Sequence, residues 1–397
     1  MKKAVVNISR FIVAAVFLFS GFVKAVDPLG TQYKLQDYLE AMGLSNDWIA
    51  DWQTLGAAIL LSLIEFVIGA MLLFAINRRM VSKLALLFML IMTGLTVWIY
   101  IDDPVSDCGC FGDAIILSNG ATLLKNIILL AATIAIAAYP LLMPRFISLK
   151  KQWMIFNLST FGILTLSAYS LYYLPPIDFR PYHIGANIPE GMKMPEGAEQ
   201  PVLETTFILE KNGERKEFTL DNYPDSTWTF IDSKTKVIKK GYEPPIHDFS
   251  IVRLSDDQDI TEQVLTHKGY TLLLIAPHLE DADDGCFGKI DEIYEFSLER
   301  NIPFYCLTAS IGEGIERWID ITGAEYPFCN TDETTLKTII RSNPGLVMLK
   351  NGTIVGKWSH NSLPDKKELK ELEMKNYTKM RYANLYNSQN SIIFANK

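Results

Sequence analysis

Histidine and cysteine are scarce in this chain, five of each in 397 residues. No His accompanies the two closest cysteines, Cys108 and Cys110, so a zinc site there would have only Asp107 and Asp113 to add and is poorly supported. Lys and Arg are absent from residues 102–118, which hold four aspartates. The net charge of −8 and the lack of a basic cluster in the soluble part argue against a nucleic-acid partner. What the chain has in quantity is apolar length.

Four apolar runs approach or exceed the roughly 20 residues that a spanning helix needs: Asn7 to Val26, Leu55 to Ile76, Ser82 to Ile101 and Asn119 to Met143. A fifth, Trp153 to Leu174, carries Ser, Thr, Asn and Tyr but no formal charge. The first run has the basic start of a secretory signal, yet further spans follow at once, so it is expected to stay as an uncleaved helix. Basic residues then set the orientation. Lys2, Lys3, Arg10, Arg78, Arg79, Lys83, Arg145, Lys150 and Lys151 fall on one side, the cytoplasmic one. Opposite them, Asp27 to Asp51 sets Lys34 against Asp27, Asp37, Glu40, Asp47 and Asp51. Five spans put everything after about Pro175 on the same side as Cys108 and Cys110. In a bacterial inner membrane that side is the periplasm, where disulfides persist.

More than 200 residues follow the last span, enough for a separate core. Pro175 to Pro201 is rich in Pro, Gly and Glu and is expected to be irregular. Thr205 to Glu210 and Lys216 to Leu220 flank Asn212-Gly213, a hairpin signal. Thr227 to Asp232 and Lys236 to Lys240 predict a second hairpin around Ser233, and the four runs make a small antiparallel β region. From Pro245 the pattern alternates strand and helix. Tyr270 to Ala276 suits a buried central strand, Phe287 to Arg300 has helical spacing, and Pro303 to Ala309 is a further strand. Helices are expected at Ile260 to Leu265, Ile315 to Thr322 and Thr334 to Arg341, and a closing hairpin turns at Lys350-Asn351-Gly352. The order predicts an α/β layer with a mixed sheet.

Asn343-Pro344-Gly345-Leu346-Val347-Met348-Leu349-Lys350-Asn351-Gly352-Thr353 resembles the end of a thioredoxin fold, over about Pro245 to Lys370. The resemblance implies a cis Pro344 opening the strand that faces the redox position. Where thioredoxins carry Cys-x-x-Cys, this chain reads Asp283-Asp284-Gly285-Cys286, so the first cysteine is missing. One thiol attacks and a second resolves a mixed disulfide; Cys286 has no neighbour to do so. A helix start would lower its pKa, but Asp281, Asp283 and Asp284 oppose that. Cys306 reads as an inert core residue, with a bridge to Cys329 as the alternative.

Phe19-Ser20-Gly21-Phe22-Val23-Lys24 resembles the signature of DoxX-type four-helix membrane proteins, and Asp107-Cys108-Gly109-Cys110-Phe111-Gly112 is similar to the loop of the MauE branch. This implies a role in disulfide formation or electron transfer. The expected fold is thus an α-helical membrane bundle of four helices (1–143) and a fifth linking span (144–175). A linker with a small antiparallel β region (176–244), a C-terminal α/β thioredoxin-like domain (245–370) and a tail (371–397) follow.

Cys108 and Cys110 have three readings: a redox-active pair, a static staple or a metal site. A ring closed over one glycine is strained and reducible. Glu65, near the middle of the second span, is costly to bury and is either functional or a polar contact between helices. Lys24 sits nearer the outer boundary, so pairing with Glu65 needs snorkelling or a helix offset. His247, His267, His278 and His360 show no metal spacing. Two functions follow. One is a thiol-disulfide oxidoreductase or electron conduit in which Cys108, Cys110 and Cys286 exchange electrons with a periplasmic thiol protein and a quinone or other membrane carrier. The other is a noncatalytic membrane-anchored binding or assembly protein.

Overall fold

The computed structural model describes residues 1–44, 49–105, 107–195, 197–198, 202–211, 214–219, 228–239 and 241–372. Asp47, the Asn212-Gly213 turn and the tail beyond residue 372 lie outside them. Five helices are long and apolar enough to cross a membrane: α1 Lys2–Val26, α3 Asp51–Leu73, α4 Arg78–Asp102, α5 Asn119–Ala138 and the segment Leu149–Tyr172, which contains α6 Gln152–Tyr172. A helix that apolar length does not announce, α2 Pro28–Ala41, fills the first outer loop. Asp27 stops α1 and caps α2, its carboxylate accepting from Gly30 N at 2.9 Å, while Pro28 takes the first helical position.

Close backbone contact between α1 and α3 fixes the bundle. A Cβ on Gly21 would fall 2.6 Å from Phe66 N and 2.8 Å from Ser62 O, and one on Gly69 would fall 2.8 Å from Leu18 N. Small residues let membrane helices approach this way. Gly21→Val should push the helices apart and cost about 1–3 kcal/mol. A melting temperature in detergent equal to that of the parent chain would refute the contact.

Beyond α6, residues 183–191 are less irregular than expected. Gly185 N donates to Ile354 O at 2.8 Å, Asn187 bridges Thr353, and the short α7 Ile188–Gly191 follows. The β region is a three-stranded antiparallel sheet in which β1 Val202–Lys211 lies between β2 Glu214–Thr219 and β3 Thr229–Lys239. The hairpin expected around Ser233 is not formed: β3 runs straight through it, with Ser233 opposite Phe207. The long β1 offers a partner along the whole run, and register shifts absorb the irregularity.

The α/β domain has a seven-stranded mixed sheet. Its elements are β4 Val252–Arg253, β5 Gln258–Asp259, α8 Thr261–Thr266, β6 Tyr270–Ile275, α9 Phe287–Glu299 and β7 Phe304–Thr308. Then come α10 Glu313–Thr322, β8 Phe328–Asn330, α11 Glu333–Ile339, β9 Gly345–Lys350 and β10 Thr353–Ser359. The spatial order is β10, β9, β6, β7, β8, β4, β5; β6, β7 and β8 run parallel, while β9 and β10 close antiparallel on β6. The Asn343–Pro344 peptide is cis, immediately before β9. These are the connections of a thioredoxin-like fold. One core face holds Leu273, Ile275, Leu307 and Val347; the other holds Leu272, Leu274, Phe296 and Trp318.

Candidate functional site

The polar residues of α1 and α3 meet inside the bundle. Ser20, Lys24 and Glu65 are all buried, and Lys24 Nζ lies 2.8 Å from Glu65 Oε2. The Gly21 contact brings α1 against α3 at this level, so the pair forms directly. Ser20 Oγ donates to Glu65 Oε2 at 2.7 Å, and Lys24 Nζ lies 2.6 Å from Ser20 Oγ. Lys24 Nζ also donates to the Cys110 carbonyl at 2.9 Å, with Ser20 Oγ 2.7 Å from the same oxygen. The ion pair therefore holds the backbone of the cysteine loop from below.

Other residues fix the rest of the loop. Tyr38 on α2 donates its hydroxyl to Cys108 O at 2.5 Å, and Lys34, one turn earlier, pairs with Asp107 at 3.2 Å. Gly109 has φ +58° and a Cβ there would meet Lys34 Cγ at 3.1 Å, so a side chain is unfavourable on both counts. Cys108 packs with Tyr38 and Ile99, with Leu35, Leu95, Trp98, Val105 and Cys110 around them.

Both cysteines are free thiols, their sulfurs 3.1 Å apart. A disulfide needs about 2.05 Å, so roughly 1 Å of loop movement closes one. Cys108 is buried and Cys110 partly exposed. The hydrogen bond from the Cys108 thiol brings Cys110 down to about 6, against the effect of burial and with help from Lys125 and Lys24. The same contact, with burial, pushes Cys108 up. The contact thus favours one thiolate and one thiol, the form in which a dithiol attacks, over two thiols. Among the described residues, no group of three or more His, Cys, Asp or Glu is arranged to hold a metal ion.

Above the loop sits the soluble domain. Arg341, between α11 and the cis peptide, is buried and reaches Asp27 through Nε at 3.0 Å and Nη2 at 2.9 Å. Burial alone would raise the Asp27 carboxyl, but Arg341 overcomes it and holds that group below its usual range. Arg341 Nη2 is also 3.7 Å from Asp113, three residues after Cys110. The start of the linker is pinned as well: Asp178 pairs with Arg180 at 2.7 Å and Lys357 at 2.6 Å. Ser359 and Asn361 donate to Tyr172 O at the end of α6. Between the two halves lies a cavity of about 680 Å³. Cys108 and Cys110 line it, with polar walls from α2 and α11 and an apolar floor that includes Leu61, Met92 and Leu95.

Cys286 does not line this cavity. It occupies the N-cap position of α9 without a side-chain cap bond, partly exposed, in the segment whose Asp283 N donates to Asn343 O at 3.0 Å, so it stands on the Pro344 side of the domain. Burial, with Asp283 and Asp284, pushes its thiol up to about 11. Cys306 and Cys329 are both fully buried free thiols. Their side chains enter cores on opposite faces of the sheet, which is why the alternative of a bridge is not realised. Among the histidines, His278 pairs with Glu333 at 2.9 Å and His360 Nδ1 is 3.0 Å from Ser342 Oγ. Sequence reasoning missed Tyr38 and Arg341, weighed Asp113 only as a metal ligand, and used Lys34 and Asp27 only for orientation. The Asp27-Pro28 start signal was the clue to α2, which places Lys34 and Tyr38 four residues apart on one face.

No curated protein matches the chain. The solution structure of a putative protein disulfide isomerase from Bacteroides thetaiotaomicron is similar at 14% identity, covering 32% of this chain and 84% of that one with a TM-score of 0.26. Residues 203–240, the β region, match a family described as a domain of unknown function. The segment that carries Ser20, Lys24, Glu65, Cys108 and Cys110, residues 2–140, matches the family described as methylamine utilisation protein MauE, so the membrane half is MauE-like.

Proposed function

We propose that this chain is a membrane thiol-disulfide oxidoreductase of the bacterial inner membrane, with its amino terminus cytoplasmic and its cysteine loop and soluble domain periplasmic. The observation that carries the reading is the Cys108–Cys110 contact of 3.1 Å inside a cavity, over a buried Lys24–Glu65 pair. Cys110 is the interchange thiol because it is the more accessible and the more acidic. As thiolate it attacks a client disulfide, forming a mixed disulfide and releasing the client's second sulfur as a thiolate. Cys108, after losing its proton, then displaces the client and closes the Cys108–Cys110 disulfide. In the oxidising direction a client thiolate attacks Cys110, Cys108 leaves, and the client's second thiolate resolves the intermediate.

Turnover as an oxidase requires a two-electron acceptor for the reduced pair, and a lipid-soluble quinone supplies it. Two thiols become one disulfide while the quinone takes up two electrons and two protons as quinol. The apolar floor formed by Leu61, Met92 and Leu95 beside the thiols supports an acceptor that arrives from the bilayer. Thiol trapping in intact membranes tests the reading: alkylation before and after reduction, in the parent chain and in Cys108→Ser and Cys110→Ser. A pair that keeps one oxidation state under both oxidising and reducing challenge would rule the relay out.

For the soluble domain the binding role is the better supported one. With a thiol raised to about 11 and no second cysteine beside it, Cys286 lacks the means to attack and to resolve. Cys286→Ser should therefore leave the redox state of Cys108 and Cys110 unchanged under the same trapping. Failure of the pair to reoxidise in that variant would restore Cys286 to the relay.

A further inference from the structure

The thioredoxin-like domain retains its cis-proline loop while lacking a dithiol, and that loop faces this chain's own membrane half. Three residues before Pro344, Arg341 leaves the domain and enters the junction. It holds Asp27 at the α1–α2 corner with two nitrogens and stands 3.7 Å from Asp113 on the cysteine loop. Lys337, one turn earlier, lies 5.0 Å over the Tyr33 ring, and Arg341 lies 5.2 Å from the same ring. Glu333, Thr334 and Thr338 join them along the cavity that Cys108 and Cys110 also line.

From this arrangement we infer that the soluble domain is a docked wall of the dithiol cavity and that Arg341 is a positioning residue for the cysteine loop. The inference rests on the oxidoreductase reading for its purpose, though not for its measurement. The loop is held from below by Lys24 at the Cys110 carbonyl and from the side by Tyr38 at the Cys108 carbonyl. Arg341 supplies the hold from above, through charge at Asp113 and by fixing the corner at which α2 begins. A planar guanidinium suits this task because it serves two carboxylates at once. A client thiol must then pass between α2 and α11, so the soluble domain governs access to Cys110 without exchanging electrons itself. This gives a use to a domain whose own cysteine is poorly suited to attack.

The test is the alkylation rate of the reduced loop thiols by a maleimide, in the full-length chain in membranes. Arg341→Gln should raise the rate at Cys110 by about 10-fold, the scale of one charge-assisted hydrogen bond. Arg341→Lys, which keeps the charge and loses the fork, should fall between this variant and the parent. Cys286 should keep its rate, since it lies outside the cavity. Cys306 and Cys329, fully buried, serve as the folding check, because they react only if the soluble core opens. A Cys110 rate within twofold of the parent in Arg341→Gln, with Cys306 and Cys329 protected, overturns the inference. Should those two become reactive, Asp113→Asn decides from the loop side: faster Cys110 alkylation supports the hold and an unchanged rate overturns it. Alkylation needs no turnover, so a redox-inert pair would defeat the oxidoreductase reading and leave this result standing.

Discussion

Cys110→Ser should abolish thiol-disulfide turnover, whereas Cys108→Ala should leave a nucleophile that captures its client and cannot let go. The asymmetry follows from geometry. Cys110 is partly exposed and titrates down at about 6, so it forms the mixed disulfide; Cys108 lies buried behind it and is the resolving thiol. Removing Cys108 also removes the hydrogen bond that is the largest cause of the Cys110 shift. The titration should then move up towards the ~8.5 of a free cysteine, as far as Lys125 and Lys24 allow. At pH 6 the thiolate fraction would fall by up to about 150-fold. The more basic thiolate is about 13-fold more nucleophilic at a Brønsted slope near 0.45, which leaves a net loss in alkylation rate of roughly 10-fold. Mixed disulfides trapped in Cys108→Ala and none in Cys110→Ser would establish the order of the two thiols. The reverse pattern would make Cys108 the interchange thiol.

The sequence makes the scaffold more legible than the site. Five spans follow from apolar length, and the cis Pro344 before a Lys350-Asn351-Gly352 turn identifies the end of the soluble fold. Those are local signals, since chain length against bilayer thickness and turn chemistry are both written in consecutive residues. The groups around the thiols carry no such signal. Asp27 and Arg341 stand 314 positions apart, and only the docking of two halves brings them together. Lys24 and Glu65 are each conspicuous alone, but their direct contact depends on the glycine approach of α1 to α3, a fact of packing. Helix α2 escaped because Pro28 to Ala41 mixes polar and apolar residues without a long apolar run. The Ser233 hairpin failed for the converse reason: a local turn signal lost to a long partner strand.

Lys24→Met should destabilise the membrane half by about 3–5 kcal/mol, the usual result of stranding one member of a buried ion pair. Glu65 would keep the Ser20 hydroxyl but lose its cation, while the Cys110 carbonyl would lose its lysine donor. Glu65→Gln should cost less, because Lys24 retains Ser20 Oγ and Cys110 O as acceptors. Melting temperatures in detergent rank the two. The double variant Lys24→Met, Glu65→Leu then separates stability from chemistry. With both charges gone the apolar replacement should recover most of the melting temperature, since buried ion pairs seldom outdo well-packed hydrophobic residues. It should not restore the hold on the cysteine loop, because the lysine that donates to the Cys110 carbonyl is absent. On the Cys110 thiol, the loss of Lys24, which favours the thiolate, is opposed by the loss of Glu65, which disfavours it. A melt near that of the parent, together with faster alkylation of Cys110, would mean that the pair is kept for the cysteine loop and not for the fold. Recovery of both in the double variant would assign Lys24 and Glu65 to helix packing alone.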